Sequence, residues 1–379
     1  MATITEIQHV RTIDHIIIKP QPHTSKLREG ATSIPVPVPF SQPTHKALTV
    51  NEQFQYELSD TATPSLGQHE VLIRTKAVGL APIDWKTVQY KFCMPSLPWI
   101  NGRECSAVVE EVGTAVKSVS KGQRVWTSTY YRDRRAGCFQ EMVVVPEHTV
   151  IPMPSSISFE DAASLGVCGL TAAMTMWKWF GVPMRRRRLT RSISIKDRRY
   201  ALIWGGSTIT GQYAIQIAVE AGYRVIAVAS ERTRRRVSDL GAQHVITRNG
   251  RTPVDIADEI RSIGKDNIVL GIDLVGPQTA TQGVSCLSKS HPARFAPLAV
   301  PAPPIAAPAN VEIVNVEMKR FVLDPESRQY AVHLADLVGQ GRVKVPKVIV
   351  LPGGLQAVEA GLTRIRNGDM GGSKLVVRI

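Results

Sequence analysis

The sequence is short of acidic residues, of aromatic residues and of paired cysteines, and each shortage removes a class of protein. Asp and Glu number 32 against 46 Lys and Arg, which leaves a formal charge of +14 over 379 residues. Nucleic-acid binding would account for such an excess. Yet aromatics are only 6% of the chain and are not interleaved with the basic residues, and no helix-turn-helix, zinc-finger or RNP-type motif accompanies them. No apolar run approaches the ~20 residues needed to cross a bilayer. The longest aliphatic stretch near the start is Ile16-Ile17-Ile18, so no secretory signal is expected. Five cysteines (Cys93, Cys105, Cys138, Cys168 and Cys286) include no CxxC pair, and their odd number predicts free thiols in a reducing, cytoplasmic setting. The nine histidines show no HxxxH or HExxH spacing, which argues against a metal site built on one helix. With 43% hydrophobic and 21% charged residues, the chain is globular rather than disordered.

What is present falls into segments of different period. Residues 1–43 carry Pro20, Pro22, Pro35, Pro37, Pro39 and Pro43, which predicts an extended arm of polyproline type. From Ala47 to Val145, short β-rich runs (Ala47–Val50, Val71–Val78, Ala107–Val112, Gln123–Trp126, Phe139–Val145) alternate with turns and predict a partly open barrel. Glu160–Phe180 spaces Ala163, Val167, Leu170, Met174 and Trp177 as one face of a helix. A basic run, Arg185–Arg199, follows as a linker. Strand and helix then alternate: Tyr200–Trp204, Ile209–Ala221, Tyr223–Ala229, Glu231–Leu240, His244–Ile246, Val254–Ile263 and Ile268–Val275. That order implies a parallel sheet covered by helices, hence an α/β chain. Residues 291–310, rich in Pro and Ala, read as irregular. The tail reads helix Tyr330–Gly339, strand Val348–Val350, helix Leu355–Asn367 and strand Lys374–Ile379. The expected division is an arm at 1–43, a catalytic domain at 44–180 with 325–379, and a nucleotide-binding domain at 181–324.

The strongest local signal joins the strand ending at Trp204 to the helix that follows it, through Gly205-Gly206-Ser207-Thr208-Ile209-Thr210-Gly211. Two glycines permit a tight turn and a close approach of backbone to a diphosphate, and the amides and dipole of the helix start favour the anion. Gly211 lets helix and strand pack closely. The next strand ends at Ser230, with Arg232 just beyond and Arg234-Arg235-Arg236 following. An acidic residue at such a tip would bond the ribose 2′-hydroxyl of NAD. A serine leaves room for a 2′-phosphate and a guanidinium pairs with it, so NADPH is the expected cofactor unless Glu231 turns into the pocket.

The order of motifs resembles a known superfamily. Gly79-Leu80-Ala81-Pro82-Ile83-Asp84-Trp85-Lys86 is similar to the NPxDxK element of medium-chain dehydrogenases/reductases. Asn101-Gly102-Arg103-Glu104, Gly122-Gln123-Arg124-Val125, Gly137–Glu141 and Gly169-Leu170-Thr171-Ala172 continue the pattern. The glycine turn and the ending Gly368–Val376 look most like the fungal branch, which holds lovastatin-type, trans-acting enoyl reductases of polyketide synthases. The resemblance implies a GroES-like barrel with an inserted Rossmann domain, and activity on an enoyl thioester. It implies that Lys86 donates to the thioester oxygen, that Thr171 lines the same site, and that Asp84 either holds Lys86 or caps the turn carrying it. Lys374, in the ending, joins the cofactor set. Zinc members of the superfamily have a Cys near position 81 and a His at 103; this chain has Ala81 and Arg103, so no metal is expected. Acyl carrier proteins are acidic, and the Arg185–Arg199 run suits such a partner or a polyketide synthase, the chain being a monomer or homodimer. Two alternatives stay open: reduction of free quinones or alkenals, and a scaffold on the same fold that has lost hydride transfer.

Overall fold

The computed structural model describes residues 43–130, 132–184, 199–299, 305–368 and 370–379. The predicted arm, but for Pro43, and the basic run, but for Arg199, lie outside the described residues.

Short runs of β-branched residues build the first part as eight strands: β1 (Thr44–Val50), β2 (Tyr56–Ala62), β3 (Glu70–Gly79), β4 (Trp99–Ile100), β5 (Glu104–Val112), β6 (Arg124–Ser128), β7 (Met142–Pro146) and β8 (Val150–Pro152). β1 pairs with β2 and β4; β3 pairs with β5 and β7, and β6 with β5 and β8, all antiparallel. Along β3 the faces alternate. Val71 and Ile73 enter the barrel core, while Leu72 packs outward on Met142 and Val144. Sequence reading missed β2, β4, β8 and the helix Pro82–Gln89, and β7 starts three residues later than expected. β2 reads Tyr-Glu-Leu-Ser-Asp-Thr-Ala, a polar string made a strand by its pairing, Leu58 opposite Leu48.

Six parallel strands form the second sheet: β9 (Tyr200–Trp204), β10 (Arg224–Ala229), β11 (His244–Thr247), β12 (Ile268–Asp273), β13 (Ala293–Pro297) and β14 (Val311–Ile313). Their order in space is β11-β10-β9-β12-β13-β14. This is the doubly wound arrangement, whose crevice lies beyond the carboxyl ends of β9 and β12, where the order reverses. Both faces are buried, in alternation. Ala201, Ile203, Val225 and Ala227 point into one core, and Leu202, Trp204, Ile226 and Val228 into the other. The stretch 291–310, expected to be irregular, contains β13. Its Arg294-Phe295-Ala296 lies between two parallel neighbours, and that pairing overrides a Pro- and Ala-rich composition.

The segment after β8 is helical as expected but not one α-helix. A short α-turn (Phe159–Ala162) is followed by a π-helical turn (Leu165–Gly169), an α-turn (Leu170–Met174) and a second π-helical turn (Thr175–Trp179). It shares a core with the helices Ile209–Glu220 and Arg328–Gly339 and with one face of the parallel sheet. The chain then returns to its first sheet. β15 (Val348–Leu351) pairs with β16 (Lys374–Arg378), and β16 lies antiparallel on β3. A GroES-like barrel and a Rossmann sheet thus make up the mixed α/β fold that the sequence reading expected. No described helix is long and apolar enough to cross a membrane.

Candidate functional site

The turn after β9 is a backbone cradle. Gly205 has φ +98°, and the amides of Gly205 and Gly206 both donate to Val228 O, at 3.1 and 2.8 Å. The amides free for an anion are therefore those opening the helix Ile209–Glu220 rather than those of the glycines. Thr208 caps that helix: its Oγ1 accepts from Gly211 N–H (3.0 Å) and donates to Gly205 O (2.8 Å). A Cβ on Gly206 would lie 3.0 Å from the Ala227 Cβ, and one on Gly211 would lie 2.4 Å from Gly205 O. Ser207 contributes its carbonyl, which accepts from Gln212 Nε2 at 3.0 Å, and Thr210 lies in the first helical turn. The cradle fits a diphosphate: its close packing admits no side chain, and the amides of Ile209 and Thr210 face outward from the helix start.

At the tip of β10, the Ser230 hydroxyl is within 2.9 Å of Thr233 Oγ1. Glu231 turns toward Arg234 (3.8 Å) on the exposed side. Arg232 has no ion pair among the described residues and lies against Gly371. Arg236, the last of the arginine run, donates from Nη1 to the carbonyls of Gly371 (2.9 Å) and Gly372 (2.8 Å). Gln212 Nε2 reaches Gly372 O as well (2.8 Å), so the C-terminal glycine loop is tied to the helix start.

On the barrel side, the helix Pro82–Gln89 carries two of the predicted residues. Asp84 does not hold Lys86; it caps the turn, Oδ2 accepting from Ala81 N–H at 2.9 Å. Asp84 is buried, and its other oxygen accepts no hydrogen bond among the described residues. Burial pushes its pKa up to about 7, against the pull of the neighbouring Arg103. Lys86 is half-buried, with its ammonium 5.8 Å from the Trp85 ring centroid and no ion pair among the described residues. Burial lowers its pKa. Thr171 is partly exposed on the α-turn between the π-turns, and its carbonyl accepts from Thr175 Oγ1 (2.7 Å).

Lys374 is not open to solvent beside the cradle. Its ammonium is buried on Glu104, and both side chains are almost wholly enclosed, at 2% and 0% exposure. It also approaches Cys168 Sγ at 3.8 Å. Burial opposes this cation, but the thiol and the carboxylate hold its pKa well above the ordinary lysine value. Burial raises the pKa of the Cys168 thiol, against the pull of Lys374 and of the Thr210 side chain. Lys374, expected in the cofactor set, therefore sits on a glutamate and a cysteine that sequence reasoning passed over. In the sequence Glu104 reads only as part of the Asn101-Gly102-Arg103-Glu104 motif. The signal available was an Arg-Glu pair opening an otherwise apolar strand, where charge demands a partner.

Among the described residues, no three His, Cys, Asp or Glu side chains converge as ligands for a metal. Positions 81 and 103 hold a buried alanine and a buried arginine. A cavity of about 490 Å³ opens elsewhere, at the amino-terminal edge of the parallel sheet between Arg199, Tyr223 and Arg294, opposite the edge that bears the glycine turn.

The model of the alcohol dehydrogenase GroES-like domain matches residues 67–155, and that of the zinc-binding dehydrogenase family matches residues 210–336. The trans-enoyl reductase tndF of Aspergillus flavipes is 29% identical over 335 residues, 84% of this chain and 93% of that protein. A trans-enoyl reductase of Alternaria alternata is 28% identical over 362 residues, 89% of this chain and 99% of that protein. The trans-enoyl reductase tazE of Aspergillus terreus reaches 34% over 192 residues, 48% of this chain and 61% of that protein. Two solved structures share the fold: the CurK enoyl reductase (TM-score 0.72, 20% identity, 89% and 99% of the two chains) and a mycobacterial protein complexed with NADPH (0.70, 22%, 88% and 100%). With both halves of the architecture matched and fungal relatives aligned along most of its length, the chain belongs to the medium-chain dehydrogenase/reductase superfamily, in the branch of the fungal trans-enoyl reductases.

Proposed function

We propose that the protein reduces the activated C=C bond of an enoyl thioester with NADPH and without a metal. The observation that carries this reading is Lys86, a half-buried ammonium with no competing carboxylate among the described residues. NADPH, when bound, supplies the hydride. Ile209 and Thr210 would hold its diphosphate through their amides, the Gly205-Gly206 turn giving the backbone its close approach, and Ser230 and Arg232 would hold its 2′-phosphate. Lys86 donates to the thioester oxygen as negative charge builds there, and partial desolvation strengthens that bond. The hydroxyl of Thr171 orients substrate or the nicotinamide amide. Asp84 acts one step back, capping the turn that presents Lys86. Hydride addition leaves an enolate whose α-carbon must then be protonated, and in this reading water brings that proton.

The partner this reading implies is a polyketide synthase or an acyl carrier protein bearing the thioester, in the cytoplasm, with the reductase as monomer or homodimer. The division of the chain at 44–180 with 325–379, and at 181–324, belongs to the same proposal; the π-turn segment at 165–179 is then the joint. Titration followed by tryptophan fluorescence should show NADPH binding well below the NADH concentration needed. Arg232→Ala should weaken NADPH roughly tenfold, about 1.4 kcal/mol, and leave NADH nearly unchanged. Equal affinity for the two coenzymes would remove the 2′-phosphate argument. Reduction of a pantetheine-linked enoyl substrate should outpace that of free quinones, and the opposite ranking would replace this reading with a quinone reductase.

A further inference from the structure

The Glu104–Lys374 pair is built with more care than a buried ion pair needs for stability alone. Such pairs often give little net stability, since desolvation offsets attraction. Here the carboxylate makes two different bonds: Oε2 accepts from Val167 N–H at 2.7 Å, inside the first π-turn, and Oε1 holds the Lys374 ammonium on β16. Space for it is cut by two glycines. A Cβ on Gly79 would come within 2.8 Å of the carboxylate, and one on Gly166 within 2.6 Å of the Glu104 Cβ. Each bond leads onward to the cleft. From Val167 the chain runs forward to Thr171, and three residues back the Ser164 hydroxyl lies 2.9 Å from the Tyr213 hydroxyl on the nucleotide helix. From Lys374 it runs back two residues to Gly372, whose carbonyl is held by Gln212 and Arg236. One carboxylate therefore stands between the π-turn that leads into Thr171 and the glycine loop that borders Arg232, with both ends returning to the nucleotide helix. π-helical turns are local departures from the α-ladder that recur at functional sites, and this one is anchored by a side chain from the barrel strand β5.

We propose that Glu104 is a positioning residue. Through Val167 and Lys374 it registers the π-turn and the C-terminal glycine loop against the first turn of the nucleotide helix, so that Thr171 and the cofactor cradle keep one geometry. The effect on turnover rests on the enoyl-reductase reading; the structural coupling does not.

The test is the paired substitution Glu104→Gln with Lys374→Met, which removes both charges at nearly constant volume and avoids stranding one of them. Hydrogen exchange should accelerate at least about tenfold at Leu165–Thr171 and at Met370–Ser373 together, while the barrel strands stay protected. Turnover should fall about tenfold or more, with a smaller rise in the KM for NADPH, and Lys374→Arg alone should recover most of it. A folded double variant with unchanged exchange at both segments would overturn the proposal, whatever its melting temperature. So would exchange that rises at one segment only, because the coupling is the claim. If the unaltered protein reduces no enoyl thioester, the functional reading falls and the exchange measurement still decides this one.

Discussion

The two walls of the cleft are made in different ways. The nucleotide wall is contiguous: strand, Gly205-Gly206 turn, Thr208 cap and helix all fall within Tyr200–Glu220, each element prescribing the next. The barrel wall is assembled from Asp84, Arg103, Glu104, Cys168 and Lys374, and the pair at its centre is 270 positions apart in the chain. The first wall is set by the shape of the backbone, which a few consecutive residues can dictate. The second is set by buried charge, which requires partners that no neighbouring residue supplies.

The comparison breaks most sharply at Gly211. A valine there would drive its Cβ into Gly205 O, 2.4 Å away, in a turn with no room to relax. The expected loss is about 3 kcal/mol, at the upper end of overpacking penalties, together with NADPH binding. Chemical denaturation and coenzyme titration measure the two. A variant of near-normal stability that binds NADPH would mean the cradle is looser than its geometry indicates.

Lys86→Ala probes the other wall with a smaller effect. Turnover should drop at least tenfold, roughly 1.4 kcal/mol of barrier, with NADPH affinity unchanged. Steady-state kinetics beside coenzyme titration separates the two quantities, and wild-type turnover would take Lys86 out of the reaction.

The subtlest effect belongs to Asp84. Its folded pKa of about 7 lies above the ordinary 3.8. Between those values the folded chain keeps a proton that the unfolded chain has released, so stability falls as pH rises from about 4 to about 7 and then levels. Asp84→Asn can retain the Ala81 cap and lacks the titration. Its stability relative to the unaltered protein should grow across that window, by at most roughly 1.4 kcal/mol per pH unit. Parallel pH profiles of thermal unfolding would show no growing gap if Asp84 stays ionised in the fold.

The same contrast explains which parts were legible beforehand. The βα repeat from Tyr200 to Asp273 follows from period and punctuation, because buried parallel strands and amphipathic helices leave local patterns. So does the distinction of Ser230 and Arg232 from an acidic tip. Strand β13 was hidden, since proline and alanine around it suggest a loop and only its neighbours β12 and β14 make it a strand. The π-turns were hidden as well: Val167 and Trp177 sit at helical spacing whether the ladder is α or π. Arg236 reads as one more arginine on a basic helix until the Gly371 and Gly372 carbonyls come within its reach.

Taken alone, the order of residues determined the α/β class, the glycine cradle and its helix, and the absence of zinc-ligand types at positions 81 and 103. Those are properties of short stretches, carried by backbone preference and side-chain identity. Only the tertiary structure decided that Lys374 serves Glu104 instead of opening to solvent beside the glycine turn, that Asp84 caps a turn instead of holding Lys86, and that Cys168 lies against the Lys374 ammonium. Each of those outcomes depends on which buried charge or polar group finds a partner, and burial is settled by the whole fold.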